Sequence, residues 1–494
     1  MRKAFMVFLA ALILLTAGFT AVSGAVNSQK EAITWVEETL YGDPSRAAGA
    51  RIQTKNHLKS HLLWETEGIL GEKLNPTTKF TFSNKSIQAA SEITYEGLYM
   101  HDTVDFLASL SFTDSSRMPT YAKEKYADLI AYCKACFESV EIGEEKFFTL
   151  DLGAYMDYYS LCGTFDFPDC DWSHWDEFGE YNLRIPHEYI QAINDFFRIP
   201  IQGEYLVEFS INLRQYGSSV GTSFAGGRVQ DLYHPQFDAV YLNDTCYLTF
   251  NTVGPDGEVV DTSLIPGGYG LYLLNTSRDA EGKLVLGDPV AEMVFPMDPA
   301  EEFSYLDASD DGRHIYLHTW KDGKLLRRII DVETMEVLQM VELVDTSDDF
   351  YWDMEQYDDF LVIRMQSINN LDPAANTITV YQEDTHGLYH HSFTVPMNTE
   401  SLDVNKDLEM FNSVTMNMDF DGDTLLVVQN QFESDRYAYS YGDHCNFCVL
   451  AYNADGLTYA GKYNVNIGDI FSGPDSKNWL CKPWYDNPIT ISWN

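Results

Sequence analysis

The residues best suited to chemistry are carboxylates and aromatics packed close together in the chain. The densest such run is Cys170-Asp171-Trp172-Ser173-His174-Trp175-Asp176-Glu177-Phe178-Gly179-Glu180-Tyr181. Exposed tryptophans stack on sugar faces and carboxylates accept hydrogen bonds from hydroxyls. Trp172, Trp175, Asp176, Glu177 and Tyr181 are therefore candidate contacts for a glycan or peptide. The plainer reading is an aromatic plug that packs this segment against its neighbours. Glycosidic chemistry needs two carboxylates about 5 to 10 Å apart in a cleft, a distance that spacing along a chain does not supply.

A second group, Asp419, Asp421 and Asp423 around Gly422, offers hard oxygens that could hold calcium. It is not an EF-hand loop, because the twelfth position counted from Asp419 is Asn430 rather than glutamate. The competing reading is a hairpin corner built on Asp-Gly, and the same choice applies to the acidic runs 307–311 and 345–349.

Eight cysteines supply two C-x-x-C pairs, Cys133 with Cys136 and Cys445 with Cys448, which have the arithmetic of a four-cysteine zinc site. Against zinc, Cys133 falls in the apolar stripe of an expected helix, so buried thiols or disulfides are expected instead. Cys162 and Cys170 bracket a short loop and are the favoured local disulfide. His390 and His391 are adjacent on an expected strand and so point to opposite faces. The chain has no H-E-x-x-H, phosphate-binding glycine loop or kinase phrase. Gly217 to Gly221 superficially matches a nucleophile elbow, but without strand-turn-helix context it reads as the start of a Gly/Ser loop running to Gly227.

The elements that would position these groups are short strands separated by turn residues. In residues 303–340 four strands are punctuated by Asp311-Gly312 and Asp322-Gly323. Similar units start near 237, 357 and 418, at a spacing of about 50 to 65 residues, the order expected of four-stranded propeller blades with long loops. Ser309-Asp310-Asp311-Gly312-Arg313-His314-Ile315-Tyr316-Leu317 resembles the S-x-D-G-[RK]-x-[IL]-Y-[LV] phrase of β-propeller repeat families. The expected fold is mostly β, a β-propeller-like ring of about six to eight blades with helical insertions in the N-terminal half. The alternative is a set of β-sandwich or irregular β-rich domains. Residues 119–140 have helical spacing of Tyr126, Leu129, Ile130, Cys133 and Phe137, and a second helix is expected over 186–197, both within an insertion spanning about 104–200. The strands of Trp35 and Trp493 are candidates to meet and close the ring.

Met1-Arg2-Lys3, an apolar run from Ala4 to about Val22, and Ser23 and Ala25 placed for cleavage describe a signal peptide over 1–25. An uncleaved signal-anchor is the rival. Either places residues 26–494 across the membrane as an extracytoplasmic ectodomain, secreted or held at the cell membrane by that segment. Residues 40–66 with the Thr78-Lys79-Phe80-Thr81-Phe82 strand resemble the start of uncharacterised exported proteins of Gram-positive anaerobes, which have one N-terminal membrane segment and a β-propeller-like ectodomain. That resemblance implies no particular activity.

With Lys and Arg totalling 32 against 75 Asp and Glu, the formal net charge is −43. This field repels nucleic acid and anionic lipid and favours basic partners or divalent cations. Hydrophobic content of 45% with 14% aromatics argues for a packed core rather than a disordered acidic chain. The expected function is that of an exported binder of a peptide, glycan or envelope protein, without catalytic activity and with no cofactor beyond calcium. The alternative is a carbohydrate-active hydrolase or lyase using channel carboxylates.

Overall fold

The computed structural model describes residues 29–58, 62–71, 76–82, 99–101, 127–159, 164–166, 187–216, 219–228, 237–242, 245–254, 257–278, 284–345, 350–367, 376–398, 416–431, 446–466 and 489–493, with a few isolated positions besides. The chain is mostly β and propeller-like, as its repeated turn spacing implies. It divides into two compact units, one made of residues 1–93 with 347–494 and the other of 94–346.

In the second unit two four-stranded antiparallel sheets follow each other in chain order. One contains β10 (Phe237–Leu242), β11 (Thr245–Phe250), β12 (Gly270–Arg278) and β13 (Leu284–Pro296). The next contains β14 (Glu302–Ala308), β15 (His314–Lys321), β16 (Lys324–Asp331) and β17 (Val337–Asp345). This is the blade pattern; β15 and β16 coincide within a residue with the sequence-based expectation, whereas β17 runs five residues past the expected end at Met340. The β15–β16 corner shows why. Asp322 and Gly323 have φ of 53° and 77°, the left-handed pair that a two-residue hairpin demands.

The same unit holds helices α1 (Ala127–Glu138) and α2 (His187–Phe196) and a three-stranded sheet of β6 (Glu145–Asp151), β8 (Leu206–Tyr216) and β9 (Ser219–Arg228). Short strands β5 (Tyr99–His101) and β7 (Thr164–Asp166) pair with each other. Both helices lie where helical spacing placed them. The Gly/Ser segment expected to be a loop is instead strand β9, laddered to β8 from Tyr216↔Ser219 onward. Its glycines carry no side chain to reveal an alternation, so the pairing is set by β8.

The first unit holds β18 (Phe350–Gln356), β19 (Phe360–Ser367), β20 (Thr377–Glu383) and β21 (Tyr389–Pro396) as one sheet. A second is built from β22 (Met416–Phe420), β23 (Leu425–Gln431), β24 (Asn446–Asn453) and β25 (Gly456–Asn466), extended by β1 (Thr34–Gly42) as a fifth strand. A third has the order β26 (Ile489–Ser492), β2 (Arg51–Leu58), β3 (Leu62–Ile69), β4 (Thr77–Phe82). The chain ends do lock together, but Trp35 and Trp493 do not share a ladder. β1 joins the last C-terminal strand at Trp35↔Val465, while β26 becomes the first strand of the N-terminal sheet at Ile491↔Ile52. The exchange covers two strand edges instead of one.

Middle strands are apolar on both faces because each face packs on a different layer. In β23, Leu426 and Val428 enter a core with Trp35, Ile52, Phe447, Tyr463 and Ile491. Leu425 and Val427 enter another with Phe360, Val362, Val380 and Phe420. This is why the run reads as continuous rather than alternating. Among the described residues no helix is long and apolar enough to cross a membrane. The apolar leader lies largely outside them.

Two stability predictions follow from named contacts. Trp35 is buried, meets Phe447 edge to face at a centroid distance of 5.1 Å, and leaves so little room that a Cβ on Gly68 would stand 2.5 Å from its indole. Among the described residues its Nε1–H has no partner. Trp35→Ala should cost about 3–5 kcal/mol in urea unfolding, whereas Trp35→Phe, which also deletes the unpaired N–H, should cost at least about 2 kcal/mol less.

Asp238 on β10 is pushed up to about 6, chiefly by burial, with Asp307 adding like charge. Its pKa lies above the unfolded value of about 3.9, so the folded state holds the extra proton between about pH 4 and 6 and loses stability as pH rises through that window. Relative to Asp238→Asn, the native chain should therefore gain about 2–3 kcal/mol on going from pH 7 to pH 4, read from paired urea titrations.

Candidate functional site

The site builds outward from a single arginine in an apolar strand. β19 reads Phe360-Leu361-Val362-Ile363-Arg364-Met365, and by alternation Arg364 shares its face with Phe360 and Val362, both core residues. A guanidinium at 6% exposure needs partners of opposite charge. They come from the neighbouring edge strand β18, where Asp353 stands directly opposite Arg364 in the ladder and Glu355 lies two residues on, on the same face. Arg364 donates through Nη2 to both Asp353 Oδ2 and Glu355 Oε1. Its Nη1 approaches Met416 Sδ at 2.8 Å. Tyr357 closes the group: its hydroxyl donates to Glu355 Oε2 at 2.6 Å, and its ring stacks on Phe360 at 4.5 Å. Burial, followed by the Glu355 charge, pushes the Tyr357 phenol far above its usual range, so it stays protonated as a donor.

Across the layer, Gln429 on β23 pairs in the ladder with Met416. It is fully buried, and among the described residues neither Nε2 nor Oε1 has a hydrogen-bond partner. Arg364 and Gln429 thus extend from the two sheets that sandwich the apolar layer, at its polar end. The Asp353 and Glu355 side chains remain 36% and 28% exposed. The arrangement therefore presents two acceptor groups outward, their charge half balanced by a guanidinium behind. Chemically this suits recognition of donors such as hydroxyls or ammonium groups. As acid–base machinery it is poorly arranged, since both carboxylates are already engaged.

The candidates singled out by sequence fall elsewhere. Trp172, Trp175, Asp176, Glu177 and Tyr181 lie outside the described residues, as do Cys162, Cys170 and Cys445. Asp419, Asp421 and Asp423 are described; backbone amides engage Asp419 and Asp421, and the Thr424 hydroxyl donates to Asp423 at 3.5 Å. Asp419 accepts the amides of Phe420, at 2.9 Å, and Trp493. Asp421 Oδ1 accepts those of Asp423 at 2.9 Å and Thr424 at 2.8 Å, closing the turn around Gly422, whose φ is +96°. This is the hairpin-corner reading. Cys133 and Cys136 are buried free thiols on α1, and burial pushes Cys133 up to about 11. Cys448 is likewise buried, packed in the layer of Phe360 and Val362. These are core residues, and among the described residues no group of three His, Cys, Asp or Glu is placed to hold a metal ion. His390 and His391 diverge as alternation requires, one to Asp384 and the other to Thr394, each at 2.9 Å.

A second charged cluster, in the other unit, is structural. Glu301 accepts from Arg328, Lys321 and Thr319, at 2.6, 3.0 and 3.3 Å, and ties the β13–β14 connection to the β15–β16 hairpin. Sequence reading missed Asp353, Glu355, Tyr357, Arg364 and Gln429. The available signal was a lone arginine inside an apolar run, which has to find carboxylates nearby.

No family model matches this sequence, and no curated protein matches it. Among solved structures, the chain is similar to a protein from Lactobacillus plantarum at 11% identity, covering 54% of this chain and 84% of that one, with a TM-score of 0.24. It is similar to the β-propeller domain of Myceliophteria thermophila Cps50 at 11% identity, covering 51% and 69%, TM-score 0.20. It is also similar to the periplasmic gluconolactonase of Pseudomonas aeruginosa at 14%, covering 53% and 78%, TM-score 0.22. At such scores the propeller-like assignment rests on the strand order of the sheets themselves.

Removing the guanidinium leaves two neighbouring carboxylates uncompensated. Arg364→Met should destabilise the chain by about 3 kcal/mol, and Glu355→Gln by no more than about 1 kcal/mol because Asp353 still holds the arginine. Chemical denaturation of the two variants checks the order.

Proposed function

We propose that this chain is an exported, propeller-like binding protein that recognises a donor-rich ligand, a glycan or a peptide of the cell envelope, at the Asp353–Glu355–Arg364 group. The observation that carries the reading is the engagement of both carboxylates by Arg364, with Tyr357 also on Glu355. Outward acceptors held rigid by a buried cation suit binding, while a hydrolase needs a carboxyl free to exchange its proton. Export is supported by the basic start, the apolar run to about Val22 and the small residues at Ser23 and Ala25.

The test is a panel of cell-wall glycans and peptides screened against the full chain by calorimetry, repeated with Glu355→Gln. A ligand bound intact, and at least about tenfold more weakly by the variant, is the expected result. Turnover of a panel member that Glu355→Gln abolishes would replace binding with catalysis. A reporter fused after Val26 that remained on the inner side would remove the export half.

A further inference from the structure

A fully buried side-chain amide without a partner is unfavourable, because it loses water and gains nothing in exchange. Gln429 is in that position among the described residues, at both Nε2 and Oε1 and at 0% exposure. Its surroundings show where a partner would enter. Alternation along β23 puts Gln429 on the face of Leu425 and Val427, which pack with Phe360 and Val362 of β19. Arg364 follows on that same face of β19. Met416 links the two groups. It stands opposite Gln429 in the β22–β23 ladder, and its Sδ lies 2.8 Å from Arg364 Nη1. Met416 itself is only partly buried. A thioether is a weak acceptor on a side chain that turns about three bonds, so Met416 is an exchangeable cover rather than a fixed partner.

We propose that the ligand of the Asp353–Glu355–Arg364 group is a neutral saccharide, whose adjacent hydroxyls displace the Met416 thioether and supply the missing partners of Gln429. The assignment rests on the reading of that group as a binding site, and it narrows the ligand from glycan or peptide to glycan. Polarity decides it. Gln429 offers donors and an acceptor, whereas Arg364 offers donors only. An ammonium group has donors alone, so it would leave Nε2 unmet and face a guanidinium. A carboxylate has acceptors alone, so it would leave Oε1 unmet and meet Asp353 and Glu355. Hydroxyls do both: one donates to Gln429 Oε1 while its neighbour accepts from Nε2. The two carboxylates call for further donors, which the same sugar supplies without added charge. A serine or threonine side chain brings a single hydroxyl. Gln429 is thus a specificity-determining residue, since an analogue lacking those hydroxyls leaves its buried amide unpaired.

The experiment is calorimetry of chitotetraose, maltotetraose and tetralysine with the full chain. The native form is compared with Glu355→Gln, Gln429→Met and Met416→Ala, and a urea midpoint is measured for each. Gln429→Met nearly conserves volume and removes the polar atoms, so its midpoint should equal or exceed the native one. At least one saccharide is expected to bind the native chain, at least about tenfold more weakly in Gln429→Met and no more weakly in Met416→Ala. Saccharide binding that Glu355→Gln weakens and Gln429→Met does not would keep the site but overturn the role of Gln429. A lowered midpoint with unchanged affinity in Gln429→Met would make the amide a structural group held by buried water. Binding of tetralysine in place of both saccharides would keep the outward acceptors and overturn the saccharide. If none of the three probes bound, the binding site itself would fall as well.

Discussion

The structure depends on what happens at the leading edges of the sheets that begin with β10 and β22, where the first strand has a ladder on only one side. Its remaining amides lie beside the first strand of the next sheet and still require acceptors. Aspartates provide them. Asp238 on β10 accepts the amide of its own successor Ala239 at 2.8 Å with one oxygen and that of Leu306, on the first strand of the following sheet, at 2.7 Å with the other. Asp419 on β22 repeats the device with Phe420 and Trp493, and Asn417 adds a bond from Ile491 at 2.8 Å. Asp307 makes the first half of it with Ala308 at 2.8 Å. A carboxylate suits the role because both oxygens accept, whereas an amide would turn one donor toward another. Burial of such a group is unfavourable, and the raised position of Asp238 and Asp307 is the visible sign.

The same device shows what the sequence disclosed. Asp-x-Asp-Gly around 419–423 drew attention as possible calcium chemistry, yet its spacing reflects two backbone tasks, an inter-sheet acceptor at Asp419 and a turn acceptor at Asp421. Turns were legible because they need particular residues at positive φ, so β15 and β16, which meet at such a turn, were found to within a residue, while the end of β17 was not. Strand β18 was missed, although its Trp352-Asp353-Met354-Glu355 stretch alternates as a strand does, because it begins directly after the acidic run 345–349 with no turn residue to mark its start. The crossed exchange of chain ends was half legible. Trp35 and the Ile489-Thr490-Ile491 stretch announced strands, but which strand each would join is decided by burial in one shared layer with Phe447 and Tyr463.

The candidate site was hidden for a related reason. Its cation stands in the middle strand β19 and its anions on the edge strand β18, joined by a hairpin through Tyr357, so no linear motif contains the group. Only the pairing register places Asp353 opposite Arg364. Edge strands tolerate charge because one side stays wet, and middle strands do not. A charge in a middle strand is therefore the informative one, and Gln429, buried with both amide atoms unpaired, is the corresponding neutral case in the facing sheet.

This placement of charge bears on partners more strongly than composition does. Cations are scarce in this chain, and several are spent internally. Arg327 is 1% exposed with its guanidinium 3.7 Å from the Tyr316 ring centre, Arg364 is 6% exposed, and Arg328 is bound to Glu301. Among the described residues several carboxylates stand at turns, among them Asp311, Asp384 and Asp421. Withdrawing basic groups from the surface makes the field outside more negative than an even mixture of the same residues would produce. Such a surface selects by exclusion, turning away nucleic acid and anionic lipid. The arginines that stabilise the sheets thus also set the chemistry of what can approach them.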